Sequence, residues 1–166
     1  VNISGVQLRA PGFVDMVSIV IRETEVRPEC LELELTETIL VDQSKSTVDE
    51  LLKLKSFGVH ISIDDFGTGY SSLNYLQNFP IDTLKIDRSF INKLASNGEQ
   101  QKIVETILTL GKSLGLEVVA EGIETAEQLM KLKTIDCRRG QGYFFSKPME
   151  GNAVRPLLAS LLRKRA

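Results

Sequence analysis

The sequence predicts an α/β fold, a parallel sheet covered by helices, and three observations predict it. Short apolar or alternating segments read as strands, and each is followed by a segment with helical spacing; this order recurs six times. Strand starts lie roughly 25 to 33 residues apart, the length of one βα unit. Strict alternation with short loops requires parallel pairing, because each helix carries the chain back to the same end of the sheet. Two architectures satisfy these conditions, an open doubly wound sheet and an eight-stranded barrel. No G-x-G-x-x-G and no G-x-x-x-x-G-K-[ST] follows any strand, which weakens the nucleotide-binding open sheet.

Taken in order, Val1 to Ser4 reads as the end of a strand. Phe13 to Arg22 places Phe13, Val14, Met16, Val17, Val20 and Ile21 near helical spacing, and Pro28 ends the segment. Cys30 to Leu35 alternates strictly, with Leu31, Leu33 and Leu35 on one face and Glu32 and Glu34 on the other. Ser44 to Phe57 is an amphipathic helix with the stripe Val48, Leu51, Leu52 and Leu54, closed by Gly58. His60 to Asp64 is the third strand, Ser71 to Gln77 a short helix, and Thr83 to Ile86 the fourth strand. Gln100 to Leu114 is a long helix with Ile103, Val104, Ile107, Leu108 and Leu110 inward. Leu116 to Ala120 is the fifth strand, and Thr125 caps the helix that runs to Leu132. Gly140 to Phe145 is the last strand, and Asn152 to Arg163 the last helix.

A chain of 166 residues is long enough for one domain with a substantial core. Its 42% hydrophobic and 25% charged residues are ordinary for a globular protein. The net charge of -2 gives no reason to expect a DNA or RNA polymer as partner. Cys30 and Cys137 lie too far apart for a short metal motif, and a reducing cytoplasm fits them best. The single histidine, His60, argues against histidine-rich metal sites and His-based triads; a metal here needs oxygen ligands. No apolar run approaches the ~20 residues of a membrane span. The segment is therefore expected to make no membrane contact of its own.

Polar residues recur at the carboxyl end of every strand: Asn2, then Glu34 and Glu37, Asp64 and Asp65, Lys85 and Asp87, Glu121 and Glu124, and Gln141. Each alone has a plain structural explanation as a turn former, a cap or a solvated side chain. Six strands ending alike point to the rim of a βα barrel, where active sites are built. Adjacent strand residues face opposite ways, so Asp64 and Asp65 serve one site only if the strand ends there, which the loop with Gly67 and Gly69 implies. The carboxylates and amides are hard donors for magnesium or manganese, and adjacent acids can hold two ions about 4 Å apart. Such a pair activates water and stabilises an in-line phosphoryl displacement, with Lys85 placed to orient the water or to neutralise developing charge.

The motifs can now be collected. Val1 opens V-N-I-S, Glu34 to Glu37 reads E-L-T-E, and Asp64 to Leu73 reads D-D-F-G-T-G-Y-S-S-L. Leu84 to Asp87 reads L-K-I-D, Val119 to Glu124 V-A-E-G-I-E, and Gln141 to Pro148 Q-G-Y-F-F-S-K-P. In this set and order the chain resembles the EAL-domain family of bacterial cyclic di-GMP phosphodiesterases. The resemblance implies a TIM-type (β/α) barrel and hydrolysis of cyclic di-GMP to linear pGpG with Mg2+ or Mn2+. It implies metal ligation by Asn2, Glu34, Asp64, Asp65 and Glu121, with Asp65 bridging two ions. Catalytic roles fall to Glu121 as general base, Lys85 on the attacking water, and Asp65. Gln141, Glu124, Glu37, Asp87, Gly67, Thr68 and Gly69 match substrate-side or supporting positions, Glu37 holding the loop Phe66 to Ser72. Partners implied are cyclic di-GMP, a second copy in a homodimer, and an upstream sensor or GGDEF domain in a longer protein, whose further regions can include a membrane anchor.

The sequence departs from the family at its front. The E-A-L or E-V-L triplet, whose glutamate ligates metal, does not precede Val1, and six βα units are visible instead of eight. The expectation is a partial barrel of about six units, covering residues 1–166 as the C-terminal two-thirds of the domain, with the gap open or covered by a partner. On the same expectation the segment alone is inactive. The alternatives are an inactive module that binds cyclic di-GMP or a protein, and an enolase-like barrel with a lysine base.

Overall fold

A computed structural model describes residues 1–41, 45–69, 76–94 and 98–163. Its strands are β1 (Asn2–Ile3), β2 (Glu32–Thr36), β3 (His60–Phe66), β4 (Thr83–Ile86), β5 (Glu117–Ala120) and β6 (Arg139–Gly140). Its helices are α1 (Gly5–Leu8), α2 (Phe13–Thr24), α3 (Lys45–Ser56), α4 (Arg88–Asn92), α5 (Gly98–Leu114), α6 (Ala126–Thr134) and α7 (Gly151–Arg163). All strand pairs are parallel, and the spatial order β1-β2-β3-β4-β5-β6 is the chain order. A doubly wound sheet reverses its order at a switch point. This sheet does not, and it forms six strands of a TIM-like barrel. Among the described residues β1 and β6 are its edges.

Alternation along the strands separates two faces. Leu33, Leu35, Ile61, Ile63, Leu84 and Ile86 are at most 4% exposed and share one core with Phe13, Val14 and Val17 of α2, Leu51 and Leu54 of α3, and Val104 and Ile107 of α5. Each such side chain contributes about 1.5–3 kcal/mol on burial. The other face carries Glu34, Ser62, Asp64, Thr83 and Lys85, with Glu34 opposite Ser62 and Ser62 opposite Thr83 in the ladders.

Most strands and most of each helical stripe fall where their periodicity predicts them, but Met16, Val20, Leu52 and Ile103 are exposed at the stripe edges rather than inward, and four further details differ. β3 continues past Asp64 to Phe66. Its register moves three residues, Ile63 to Phe66, while β4 moves two, Leu84 to Ile86, so one extra residue bulges into β3. β6 is only Arg139–Gly140, not a strand from Gly140 to Phe145. After Gln141 the chain turns under Ile123: the Phe144 amide donates to the Ile123 carbonyl at 2.9 Å and the Phe145 amide to the Gly142 carbonyl at 3.1 Å. A Cβ on Gly142 would collide with the Ile123 backbone, so only glycine makes this turn. Two short helices, α1 and α4, carry no periodic signal and exist through their caps. The Ser4 hydroxyl accepts from the Gln7 amide and the Asp87 carboxylate from the Ser89 amide. The helix expected from Ser71 lies, except for its last two residues, outside the described residues, as does Ser44.

Candidate metal and active site at the strand ends

Lys85 is central to the carboxyl rim. It is 5% exposed, on β4, and its Nζ lies 2.7 Å from Glu121 Oε1, 2.9 Å from Glu34 Oε1 and 3.4 Å from Asp64 Oδ1. Four strands thus converge on one ammonium. Burial works against its charge, but the hydrogen bonds to Glu121 and Glu34 outweigh that and hold its pKa above the ordinary lysine value. Burial pushes Glu121 up, Lys85 offsets part of this, and Asp64 adds to the rise.

The bulge in β3 decides the use of the two aspartates. Ile63 and Phe66 both return to the helix-covered face, so Asp64 and Asp65 fall between them on the rim side. The kink is absorbed at Asp65, whose φ is +53°, a conformation that aspartate tolerates better than most residues. Oxygens of Asp64, Asp65 and Glu121 consequently lie within 4.8 Å of one another. Asp65 is raised by burial and by the negative charges of Asp64 and Asp87. Burial pushes Asp87 upward too, but hydrogen bonds from Ser89 and Arg88 prevail and hold it below the ordinary aspartate value. Four carboxylates around one ammonium leave an excess of negative charge, and the donors are all hard oxygens. That set fits a divalent cation such as magnesium, manganese or calcium.

The other predicted positions surround this centre. Asn2 is exposed at the β1 edge, ladder partner of Glu34. Glu34 meets Lys85 and stands outside the three-acid cluster. Gln141 Nε2 donates to Glu121 Oε1 at 2.5 Å, which fixes that carboxylate from the β6 side. Glu37, 5% exposed, accepts at Oε2 from the Gly67 amide at 2.8 Å and the Gly69 amide at 3.0 Å. A Cβ on Gly69 would come within 2.9 Å of the Glu37 carboxylate, so glycine permits the approach. The Thr68 hydroxyl donates to the Asp65 carbonyl at 2.9 Å and closes the loop on the bulge. Glu124 is exposed and, with Glu121 and Gln141, lines a cavity of about 570 Å³. Arg88 and Lys147 line it too, and neither stood out in the sequence. Their signal was position: Arg88 directly follows L-K-I-D, and Lys147 lies inside Q-G-Y-F-F-S-K-P.

A barrel rim with hard oxygen donors gathered about a buried lysine defines a (β/α) protein with a candidate cation site at the strand ends. The EAL domain family model matches residues 1–148, and the chain belongs to that family. An uncharacterised protein of Mycobacterium tuberculosis is 43% identical over 160 residues, 96% of this chain and 26% of its own length. The chain thus spans about a quarter of that curated relative. Among solved structures, the EAL domain of Mycobacterium smegmatis DcpA superposes with a TM-score of 0.90 at 42% identity, covering 96% of this chain and 71% of that one. PaMucR phosphodiesterase in complex with c-di-GMP gives 0.87 at 41% identity, covering 92% and 62%. Klebsiella pneumoniae BlrP1 with manganese and c-di-GMP gives 0.80 at 32% identity, covering 89% and 38%. No helix among the described residues is long and apolar enough to cross a membrane.

Proposed function

We propose that this chain is the larger part of a domain that hydrolyses one phosphodiester of cyclic di-GMP, giving linear pGpG, with magnesium or manganese. The observation that carries the reading is Lys85, buried and held by Glu34, Asp64 and Glu121 beside the Asp64–Asp65–Glu121 oxygens. Those oxygens, with Asn2 and Glu34 as further donors, would hold divalent ions, which would lower the pKa of water and offset negative charge on the phosphoryl oxygens. Lys85 donates to the attacking water and fixes its position. Glu121, raised by burial, accepts the proton, and Gln141 keeps its carboxylate aimed. Asp65 adds the charge that a second ion needs, and Asp87 stands against it. Arg88 and Lys147 meet the substrate phosphates in the cavity that Glu124 also lines. Glu37 holds Gly67, Thr68 and Gly69 across the rim.

In the same reading, two further βα units and one more glutamate, from chain preceding Val1, complete the barrel. The open edges at β1 and β6 support this, as do the exposed Tyr143, Phe144, Phe145, Met149, Val154 and Leu158 that follow β6. So does the 71% share of the DcpA domain that this chain covers. The domain acts as a cytoplasmic homodimer in a longer signalling protein with a sensor or GGDEF module upstream, an arrangement for which the length of the Mycobacterium tuberculosis relative leaves room.

The test is hydrolysis of cyclic di-GMP with manganese or magnesium by the full-length protein and the 166-residue segment side by side. The full-length protein yields pGpG, Glu121→Ala lowers kcat at least ~10²-fold, and the segment alone is silent. A full-length protein that binds cyclic di-GMP and leaves it intact makes the domain a receptor and overturns the enzyme reading.

A further inference from the structure

We propose that Ser62 is a positioning residue of this site: its hydroxyl anchors the Glu34 carboxylate across the ladder through one ordered water and thereby fixes where the Lys85 ammonium points. The kinetic part of this inference rests on the phosphodiesterase reading; the structural part does not. Ser62 lies within β3, is 0% exposed, and its Oγ has no hydrogen-bond partner among the described residues. Native folds rarely bury a hydroxyl unpaired, because it loses its water and gains nothing in return. Alanine at the same place would fill the layer without that penalty.

Position shows what the hydroxyl serves. Ser62 shares a face with Asp64, two residues on, and Thr83 shares a face with Lys85. In the ladders Ser62 is opposite Glu34 on β2 and Thr83 on β4. It therefore sits one step below the cluster, on the polar face, between strands that both contribute to it. Lys85 reaches Glu34 through Oε1. The other oxygen, Oε2, is the acceptor we assign to Ser62 through one ordered water, since the hydroxyl makes no direct bond to a described residue. A glutamate held at one oxygen keeps a broad terminal torsion, whereas one held at both presents a fixed carboxylate to Lys85. Cooperative strengthening along Ser62, Glu34 and Lys85 favours the chain over its separate bonds.

The experiment compares wild type, Ser62→Ala and the near-isosteric Ser62→Cys in the full-length protein. It measures kcat and KM for cyclic di-GMP separately, and the metal-free thermal transition of this domain. Ser62→Ala is expected to lower kcat about 5- to 10-fold, the scale of one hydrogen bond, with KM unchanged. Ser62→Cys, a weaker donor, falls between. The transition moves down for Ser62→Ala. With an active wild type, kcat decides: an unchanged value in both variants overturns the proposal, whatever the transition does. If the wild type hydrolyses no cyclic di-GMP, the phosphodiesterase reading fails by itself and the transition decides. A lower value for Ser62→Ala then supports the anchor, and an equal or higher one marks the hydroxyl as an unpaired burden and sinks it.

Discussion

The two faces of the sheet share one backbone and have opposite chemistry. On the helix-covered face, Leu33, Leu35, Ile61, Ile63, Leu84 and Ile86 are nearly or fully buried. On the other face, at the same strand positions shifted by one, stand Glu34, Ser62, Asp64, Thr83 and Lys85. TIM barrels ordinarily fill their interior with branched apolar side chains. Here the upper interior is given to charge, so cohesion on that face depends on pairing rather than on packing. Dispersion holds the first face through many replaceable contacts. The second face is held chiefly by one ammonium that touches three carboxylates. A register slip of one residue would exchange the faces, which is why the alternating pattern is strict in β2.

This contrast breaks most visibly at Lys85. Lys85→Met leaves Glu34, Asp64 and Glu121 facing one another with no cation, and removing one partner of a buried charge network costs about 3–5 kcal/mol. Denaturant unfolding of metal-free protein is expected to show that loss, and manganese to restore part of it. An unchanged midpoint would mean that the polar face needs no ammonium. On the opposite face Ile61→Ala is expected to remove about 3 kcal/mol by leaving a cavity in the core. Its kcat per folded molecule should equal that of wild type. A several-fold fall in kcat, measured where the variant is fully folded, would show that the two faces are not energetically separate.

How much of this was legible depended on whether the signal was local. Most of the strand–helix repeats were, because periods of 2 and 3.6 are written in consecutive residues. The acids at the strand ends were legible as a set, since each closes a recognisable strand. Three features were not. The joint use of Asp64 and Asp65 seemed to require the strand to stop, whereas β3 runs on and bulges, a conformation imposed by the β4 register. The turn after Gln141 depends on the Ile123 backbone, which lies eighteen residues away in sequence. Ser62 reads as a small filler in an apolar run, and only burial and register place it, fully buried, on the face that carries the acids. Arg88 was hidden differently: an arginine after a strand has no pattern until a cavity forms beside it.

Asp65 gives the smallest and sharpest test, because it sits at the bulge where the polar face is most crowded. Its carboxyl lies above the ordinary aspartate value of 3.8, so its charged form is less favourable in the fold than in the unfolded chain. The sign follows from linkage. At neutral pH the charge detracts from stability; as pH falls through the raised folded value the native state takes up the proton first and the deficit disappears, being gone below the unfolded value. Asp65→Asn removes the charge and keeps a residue suited to a φ of +53°. Without metal it should raise the melting temperature slightly at pH 7, with the difference from wild type vanishing below the unfolded aspartate value. With manganese the order should invert, since wild type alone offers the ion a charged carboxylate at position 65. If Asn lowers the metal-free melting temperature instead, the aspartate is held by a bond that outweighs its neighbours' charge. The site would then be organised around Asp65 as well as Lys85.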